Sequence, residues 1–197
     1  MKAAIGRKVA VHGPSGSGKT TFARTLAGVL GVPAIELDAV YHCRPGWEDL
    51  SDDEFRAAVR DLLDTHRRDG WVIDGNYAVV RDLVHAEAES AIWLRFPFHV
   101  VFPRLVRRTL RRMWTREVLW GVNRESMRMT FFSRQSILLW GITNWRPHRR
   151  KTRAALRRAK ERGVHVFVLR SPREASEFLA WVAARAERTV EGAAAGS

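Results

Sequence analysis

A chain of 197 residues that is 46% hydrophobic has the length of one α/β domain and enough apolar residues to bury a core. Its 34 Lys and Arg against 21 Asp and Glu leave a formal charge of +13, a field that attracts nucleotides, phosphorylated metabolites, nucleic acid or acidic membrane without choosing among them. The lone cysteine, Cys43, excludes an intramolecular disulfide and a cysteine-based zinc site. No window approaches the roughly 20 apolar residues of a membrane span, and Lys2, Arg7 and Lys8 precede nothing resembling a signal peptide, so a cytoplasmic protein is expected.

In chain order, Val9-Ala10-Val11 is a short apolar run that stops at His12 and a Gly-rich turn. Thr20 to Leu30 places Phe22, Leu26, Val29 and Leu30 at helical spacing, with Gly31 as the stop. Val32 to Leu37 reads as a second strand ending at Asp38. A turn-rich stretch with Pro45 and Gly46 follows. Ser51 and Glu54 stand at capping-box spacing ahead of a helix with Phe55, Val59, Leu62 and Leu63 on its apolar face, ended by Gly70. Trp71-Val72-Ile73, ending at Asp74, is a third strand, Ala91 to Leu94 a fourth and Val164 to Leu169 a fifth. Trp71 and Trp93 fall in strands and read as core. Pro172 to Arg188 is a final helix, and the Ala/Gly-rich tail 191–197 is expected to be disordered. Strands alternating with helices, each strand a nearly unbroken apolar run, indicate a parallel sheet covered on both faces. Only Pro103 to Arg162 breaks the alternation. It reads as mostly helical and carries most of the excess positive charge.

Gly13-Pro14-Ser15-Gly16-Ser17-Gly18-Lys19-Thr20 matches G-x-x-x-x-G-K-[ST] between a strand and a helix. The glycines let successive N–H groups wrap phosphates, Lys19 meets the β- and γ-phosphates, and the Thr20 hydroxyl suits Mg²⁺. Thr21 extends the cradle into a helix whose positive end faces the anion. In open α/β sheets ligands sit at the carboxyl ends of the strands. Asp38 and Asp74 both fall there. Asp74 has the setting of a carboxylate that complements Thr20 at Mg²⁺, and Asp38 that of a group orienting or deprotonating an acceptor hydroxyl; a turn or cap role is the alternative for each.

The order of segments is P-loop, then Glu36-Leu37-Asp38-Ala39-Val40-Tyr41-His42, Pro45-Gly46-Trp47, Val72-Ile73-Asp74-Gly75-Asn76-Tyr77, Ile92-Trp93-Leu94 and Arg107-Arg108-Thr109-Leu110-Arg111-Arg112. Over about residues 7–180 this resembles the adenylate-kinase-related family known as topology modulation proteins. The resemblance implies a three-layer P-loop NTPase fold of the nucleoside-monophosphate-kinase kind, with a five-stranded parallel sheet and a helical, Arg-rich lid at about residues 113–145 inside a single domain of residues 1–190. It further implies that Arg111 and Arg112, which match the arginines opening the lid, touch the nucleotide, and that Asp38, Tyr41, Asn76, Arg81 and Arg146 serve the acceptor. Adenylate kinases proper close the third strand with Asp-Gly-Phe-Pro-Arg. Here the run is Asp74-Gly75-Asn76-Tyr77, with the next arginine at Arg81 and Gly121-Val122-Asn123-Arg124-Glu125 in place of a long lid.

Between Arg104 and Arg162 arginines are dense, and Trp114, Trp120, Trp140 and Trp145 are interleaved with them. One reading is a lid whose Arg111, Arg112, Arg124 and Arg146 bind phosphate oxygens. Another is a nucleic-acid surface with Trp stacking on bases. Arg104, Arg107, Arg108, Arg157 and Arg158 fit a solvated helix face, and His148 reads as a polar surface residue. The expectation is therefore an ATP- and Mg²⁺-dependent phosphotransferase acting on a small acceptor, with Lys19, Asp38 and Arg124 catalytic. Its rival is a nucleotide-gated NTPase or a DNA-associated ATP-binding protein.

Overall fold

The computed structural model describes residues 5–44, 48–115, 118–119, 123–124 and 145–194. Five strands form one sheet in the order β2-β3-β1-β4-β7, and every neighbouring pair is parallel. They are β1 (Lys8–His12), β2 (Ala34–Glu36), β3 (Trp71–Asp74), β4 (Ser90–Leu94) and β7 (His165–Leu169). Between and after them run α1 (Lys19–Leu30), α2 (Leu37–Tyr41), α3 (Asp52–Thr65), α4 (Arg81–Glu87), α5 (Phe98–Thr115), α6 (Trp145–Glu161) and α7 (Pro172–Ala194). The order and parallel pairing agree with the P-loop NTPase fold expected from the sequence.

Alternation along the strands separates two cores. Val9, Val11, Val72, Ile92 and Leu94 point to the face covered by Phe22 and Leu26 of α1 and Phe178 and Val182 of α7. Ala10, Trp71, Ile73, Ala91 and Trp93 point to the other, covered by Phe55, Val59 and Leu63 of α3, Val84 of α4 and Leu156 of α6. Burying one such side chain contributes roughly 1.5–3 kcal/mol. An exposed pair such as Arg173–Glu177 contributes about 0–1 kcal/mol, so the cores decide the fold.

The expected helix signals are present. Ser51 and Glu54 exchange both capping-box bonds, Glu54 N–H to Ser51 Oγ at 3.4 Å and Ser51 N–H to Glu54 Oε2 at 2.9 Å. Gly31 closes α1. Arg56 of α3 forks onto Asp82 of α4, with bonds of 2.8 and 2.7 Å, and also donates to the Val79 carbonyl, which locks these helices together.

Four differences from the sequence reading stand out. The second strand stops at Glu36, because buried Leu37 already opens the short helix α2 and carries Asp38 into its first turn. Helix α4 was not anticipated. Within the stretch expected to be helical, β5 (Val118–Leu119) and β6 (Asn123–Arg124) pair antiparallel, Val118 opposite Arg124. Val118 favours strands and Gly121 disfavours helix. The last helix runs through Glu191 to Ala194, into the segment expected to be disordered, where Ala193 and Ala194 are strong helix formers. The lid residues expected at 116–117, 120–122 and 125–144, and Pro45-Gly46-Trp47, lie outside the described residues. Among the described residues no helix is long and apolar enough to cross a membrane.

Gly70 turns α3 into β3 with φ +91°, and a Cβ there would lie 2.6 Å from the Arg7 carbonyl oxygen. That carbonyl accepts the Trp71 N–H at 2.9 Å, while the Arg7 guanidinium binds the carbonyls of Leu30, Gly31 and Asp69. Gly70→Ala should therefore lower unfolding stability by about 1–3 kcal/mol, read as a reduced urea midpoint at unchanged m-value. A wild-type midpoint would show that the turn relaxes freely.

Candidate active site

The loop Gly13–Gly18 leaves the carboxyl end of β1 and enters α1 at Lys19. The first turn of α1 holds no acid, so no side chain of the helix itself offsets its positive end. Gly16 has φ +84°, and a Cβ would come within 2.7 Å of the Val101 carbonyl oxygen of α5. The loop is thus seated on α5, and only glycine fits at that point. Lys19 and Thr20 are half-buried at the helix start, and Thr21 beside them is exposed.

Asp74 closes β3, in register with Val11 of β1 and Glu36 of β2. Its side chain is 5% exposed and shares the α1 face with Val72. Thr20 Oγ1 donates to Asp74 Oδ2 at 2.6 Å, and Lys19 Nζ lies 4.0 Å from Oδ1. Burial raises the Asp74 carboxyl above the ordinary range, while Lys19 and the Thr20 hydroxyl pull it back. Oδ1 accepts no hydrogen bond although it is buried, so one carboxylate oxygen faces a cation and retains its acceptor capacity. The sequence-expected trio Lys19, Thr20 and Asp74 is therefore assembled.

The residues expected from the sequence to serve an acceptor form a second group. Asp38 Oδ1 accepts the Tyr77 hydroxyl at 2.8 Å. The rings of Tyr41, Phe55 and Tyr77 pack mutually with centroids 5.0 Å apart. Burial, and then the Asp38 charge, push the Tyr77 phenol far above its usual range, so it stays a donor. Asn76 was expected to face an acceptor, but both ends of its amide engage the P-loop. Gly13 N–H donates to Oδ1 at 3.3 Å, and Nδ2 donates to the Gly13 carbonyl at 2.5 Å. Arg81 is half-buried and donates to the Asn76 carbonyl oxygen at 3.1 Å. No acid pairs with Arg81 among the described residues, and burial lowers its basicity.

Of the expected lid arginines, Arg111 is exposed near the end of α5 and Arg146 is exposed at the start of α6. Arg112 lies in α5 and Arg124 in β6; their side chains are outside what the structure describes.

Three histidines were not anticipated here. His12, the last residue of β1, meets His85 of α4 with 3.0 Å between their Nε2 atoms, an arrangement in which one ring donates and the other accepts. Burial first, then its neighbours His85 and Arg81, hold His12 down to about 3; burial, then Arg81 and Arg162, hold His85 down to about 4. His148, read from sequence as a surface residue, is half-buried and close enough to Lys19 and Arg81 that their charges, after burial, lower it to about 4. His12 was visible beside the P-loop, but nothing local tied it to a partner 73 residues away.

These imidazoles titrate near 6.5 in the unfolded chain and remain neutral in the fold to about 4 or below. Between those values the unfolded chain binds more protons, so their contribution to stability is complete above pH 6.5 and is lost as pH falls towards 4. Asp74, with a raised carboxyl, acts in the opposite sense. The expected outcome is a urea midpoint that drops between pH 7 and 5, with a shallower slope in His85→Gln. Equal slopes in variant and wild type would remove the histidine pair as the cause.

A family model described as an AAA domain matches residues 9–127. No curated protein matches the chain. Among solved structures, a gluconokinase from Sinorhizobium meliloti 1021 is 18% identical, with 96% of this chain and 97% of that one covered and a TM-score of 0.49. A shikimate kinase from Acinetobacter baumannii in complex with shikimate is 16% identical, with 97% and 94% covered and a TM-score of 0.46. A sugar kinase from Janibacter sp. HTCC2649 is 19% identical, with 89% and 94% covered and a TM-score of 0.49. Likenesses of that size do not bear on the acceptor. The matched segment, which spans the P-loop, Asp38 and Asp74, is more than half of the chain, and the chain belongs to this AAA-domain family of P-loop proteins.

Proposed function

We propose that the chain is an ATP-dependent phosphotransferase that moves the γ-phosphoryl group of ATP to the hydroxyl of a small acceptor. The observation that carries this reading is that two carboxylates at the same edge of the sheet, Asp74 at the end of β3 and Asp38 in the first turn of α2 just after neighbouring β2, have different partners. Asp74 is tied to Thr20 and Lys19, and Asp38 is tied to Tyr77. The first arrangement suits phosphate and metal, the second a hydroxyl.

The P-loop amides, the α1 N-terminus and Lys19 would hold the triphosphate. Thr20 Oγ1 and the Asp74 carboxylate are hard oxygen donors of the kind that bind Mg²⁺ together with phosphates and water. When bound, that ion neutralises charge on the β- and γ-phosphates. Asp38 orients the acceptor hydroxyl and takes its proton as the oxygen bonds to the γ-phosphorus and the bond to the leaving ADP breaks. Arg81, a desolvated guanidinium without an acidic partner among the described residues, is suited to an anionic group on the acceptor. Arg111, Arg112, Arg124 and Arg146 are the candidates for stabilising charge on the transferring group.

One observation favours a second reading, that of a nucleotide-gated protein acting on nucleic acid. Helix α6 has only Glu161 as an acid among its many arginines and lysines. DNA affinity at near-physiological salt, with and without Mg·ATP, separates the two, because a phosphate-tracking surface loses affinity steeply with salt.

The direct test is incubation with Mg·ATP and a panel of hydroxy acids, polyols and nucleotides, with phosphoryl transfer followed by mass spectrometry. Lys19→Ala should reduce turnover by roughly 10²–10³-fold while retaining the wild-type circular dichroism spectrum; unchanged turnover would refute the cradle assignment. Asp38→Ala should depress transfer and leave calorimetric ATP affinity near wild type. A collapse of ATP binding in that variant would move Asp38 to the nucleotide side.

A further inference from the structure

Asn76 and Tyr77 are consecutive residues that hold opposite halves of the site. The Asn76 amide exchanges two hydrogen bonds with the backbone of Gly13, the first residue of the phosphate loop. It thereby does with a side chain what a neighbouring strand would do with its backbone, just where β1 and β3 stop pairing. The preceding residue, Gly75, still reaches β1, its N–H directed at the Val11 carbonyl oxygen at 3.4 Å. Tyr77 points the other way. Its hydroxyl donates to Asp38 Oδ1 at 2.8 Å, and its ring packs against both Tyr41 and Phe55. The Arg81 bond to the Asn76 carbonyl, on the peptide unit that joins the two residues, ties the dipeptide to α4.

We propose that Tyr77 is a positioning residue for the acceptor-side carboxylate and that Asn76 sets Tyr77 from the phosphate loop, so that occupancy of the loop fixes the orientation of Asp38. This rests on the reading of Asp38 as the acceptor-side group. A carboxylate has two oxygens. Tyr77 takes Oδ1 and leaves Oδ2 for the acceptor hydroxyl, and because Phe55 is fully buried the tyrosine ring cannot swing aside without opening the α3 core. When phosphates draw the loop amides towards themselves, Gly13 moves with the loop, and the Asn76 amide carries that displacement across one peptide bond to Tyr77.

The chain has only two tyrosines, Tyr41 and Tyr77, and both lie in this cluster. Tyrosine labelled with ¹³C at Cζ therefore gives two resonances, assigned by Tyr41→Phe, and Cζ responds directly to the hydrogen bond of the hydroxyl. In the free protein Asp38→Asn should move the Tyr77 signal. Titration of wild type with Mg·ADP should shift Tyr77 with the same saturation curve that calorimetry gives for binding. In Asn76→Ala, at Mg·ADP concentrations that calorimetry shows to be saturating, the shift should be lost. A Tyr77 signal that stays in place in saturated wild type overturns the proposal, as does an undiminished shift in Asn76→Ala. Should Asn76→Ala not fold, the wild-type titration still decides. Absence of Mg·ADP binding in calorimetry would remove the nucleotide reading itself, and the coupling with it; binding without phosphoryl transfer would leave the coupling standing and remove only the phosphotransferase reading.

Discussion

The register of three parallel strands is the constraint on which the rest of the site depends. Val11, Asp74 and Glu36 lie abreast across β1, β3 and β2. Because side chains alternate, a slip of one residue in β3 would send Asp74 to the face of α3 and bring Ile73 to the face of α1. Trp71 and Ile73 on one side and Val72 on the other hold that register by burial alone, all at 2% exposure or less. The Thr20 hydroxyl can meet Asp74 only because the strand is fixed in this way. Burial at that point is costly for a carboxylate, and it shifts Asp74 towards its protonated form. Thr20 and Lys19 offset part of it, and a divalent cation with its phosphates would offset more.

Local signals made the grouping of Lys19, Thr20 and Asp74 legible in the sequence. The P-loop is contiguous, the strand before it and the helix after it are short-range patterns, and Asp74 is marked by the apolar run that precedes it. Ser51 with Glu54 and Gly31 are likewise local, and both act as expected. Asp38 was found for the same reason, but its setting was not. A three-residue strand followed at once by a five-residue helix has no periodicity to read, and buried Leu37 looks the same at the end of a strand as at the start of a helix.

What sequence reasoning missed is non-local. The pairs His12–His85, Asn76–Gly13 and Tyr77–Asp38 are separated by 73, 63 and 39 residues. Each depends on which strand lies beside which, and the order β2-β3-β1-β4-β7 is not the chain order. His148 is the sharpest case. Between Pro147 and Arg149 in a strongly basic helix it has the sequence context of a solvated residue, and only the packing of α6 against the sheet turns it towards Lys19 and Arg81. The neutral state of all three histidines follows from the same packing. Lys19 and Arg81 lie close by, and burial together with their charges disfavours a further positive charge on the imidazoles.

On the proposed reading, the two halves of the site are built from different materials. The phosphate half rests on backbone: loop amides, a helix end and strand ends whose positions the sheet dictates. Its geometry is therefore set by the fold. The acceptor half rests on side chains carried by α2, by the segment after β3 and by α4, all short elements held in place by Phe55, Arg56 and Leu37. A change of a single side chain there alters the shape and polarity offered to the acceptor without touching the sheet. The combination in this chain is a carboxylate steadied by a phenol, an aromatic wall and a guanidinium with no acidic partner among the described residues. On the proposed reading, a ligand that fits it carries a hydroxyl at one end and negative charge within reach of Arg81, with Asp38, Tyr41, Tyr77 and Arg81 bearing on the acceptor and Lys19, Thr20 and Asp74 on the phosphates.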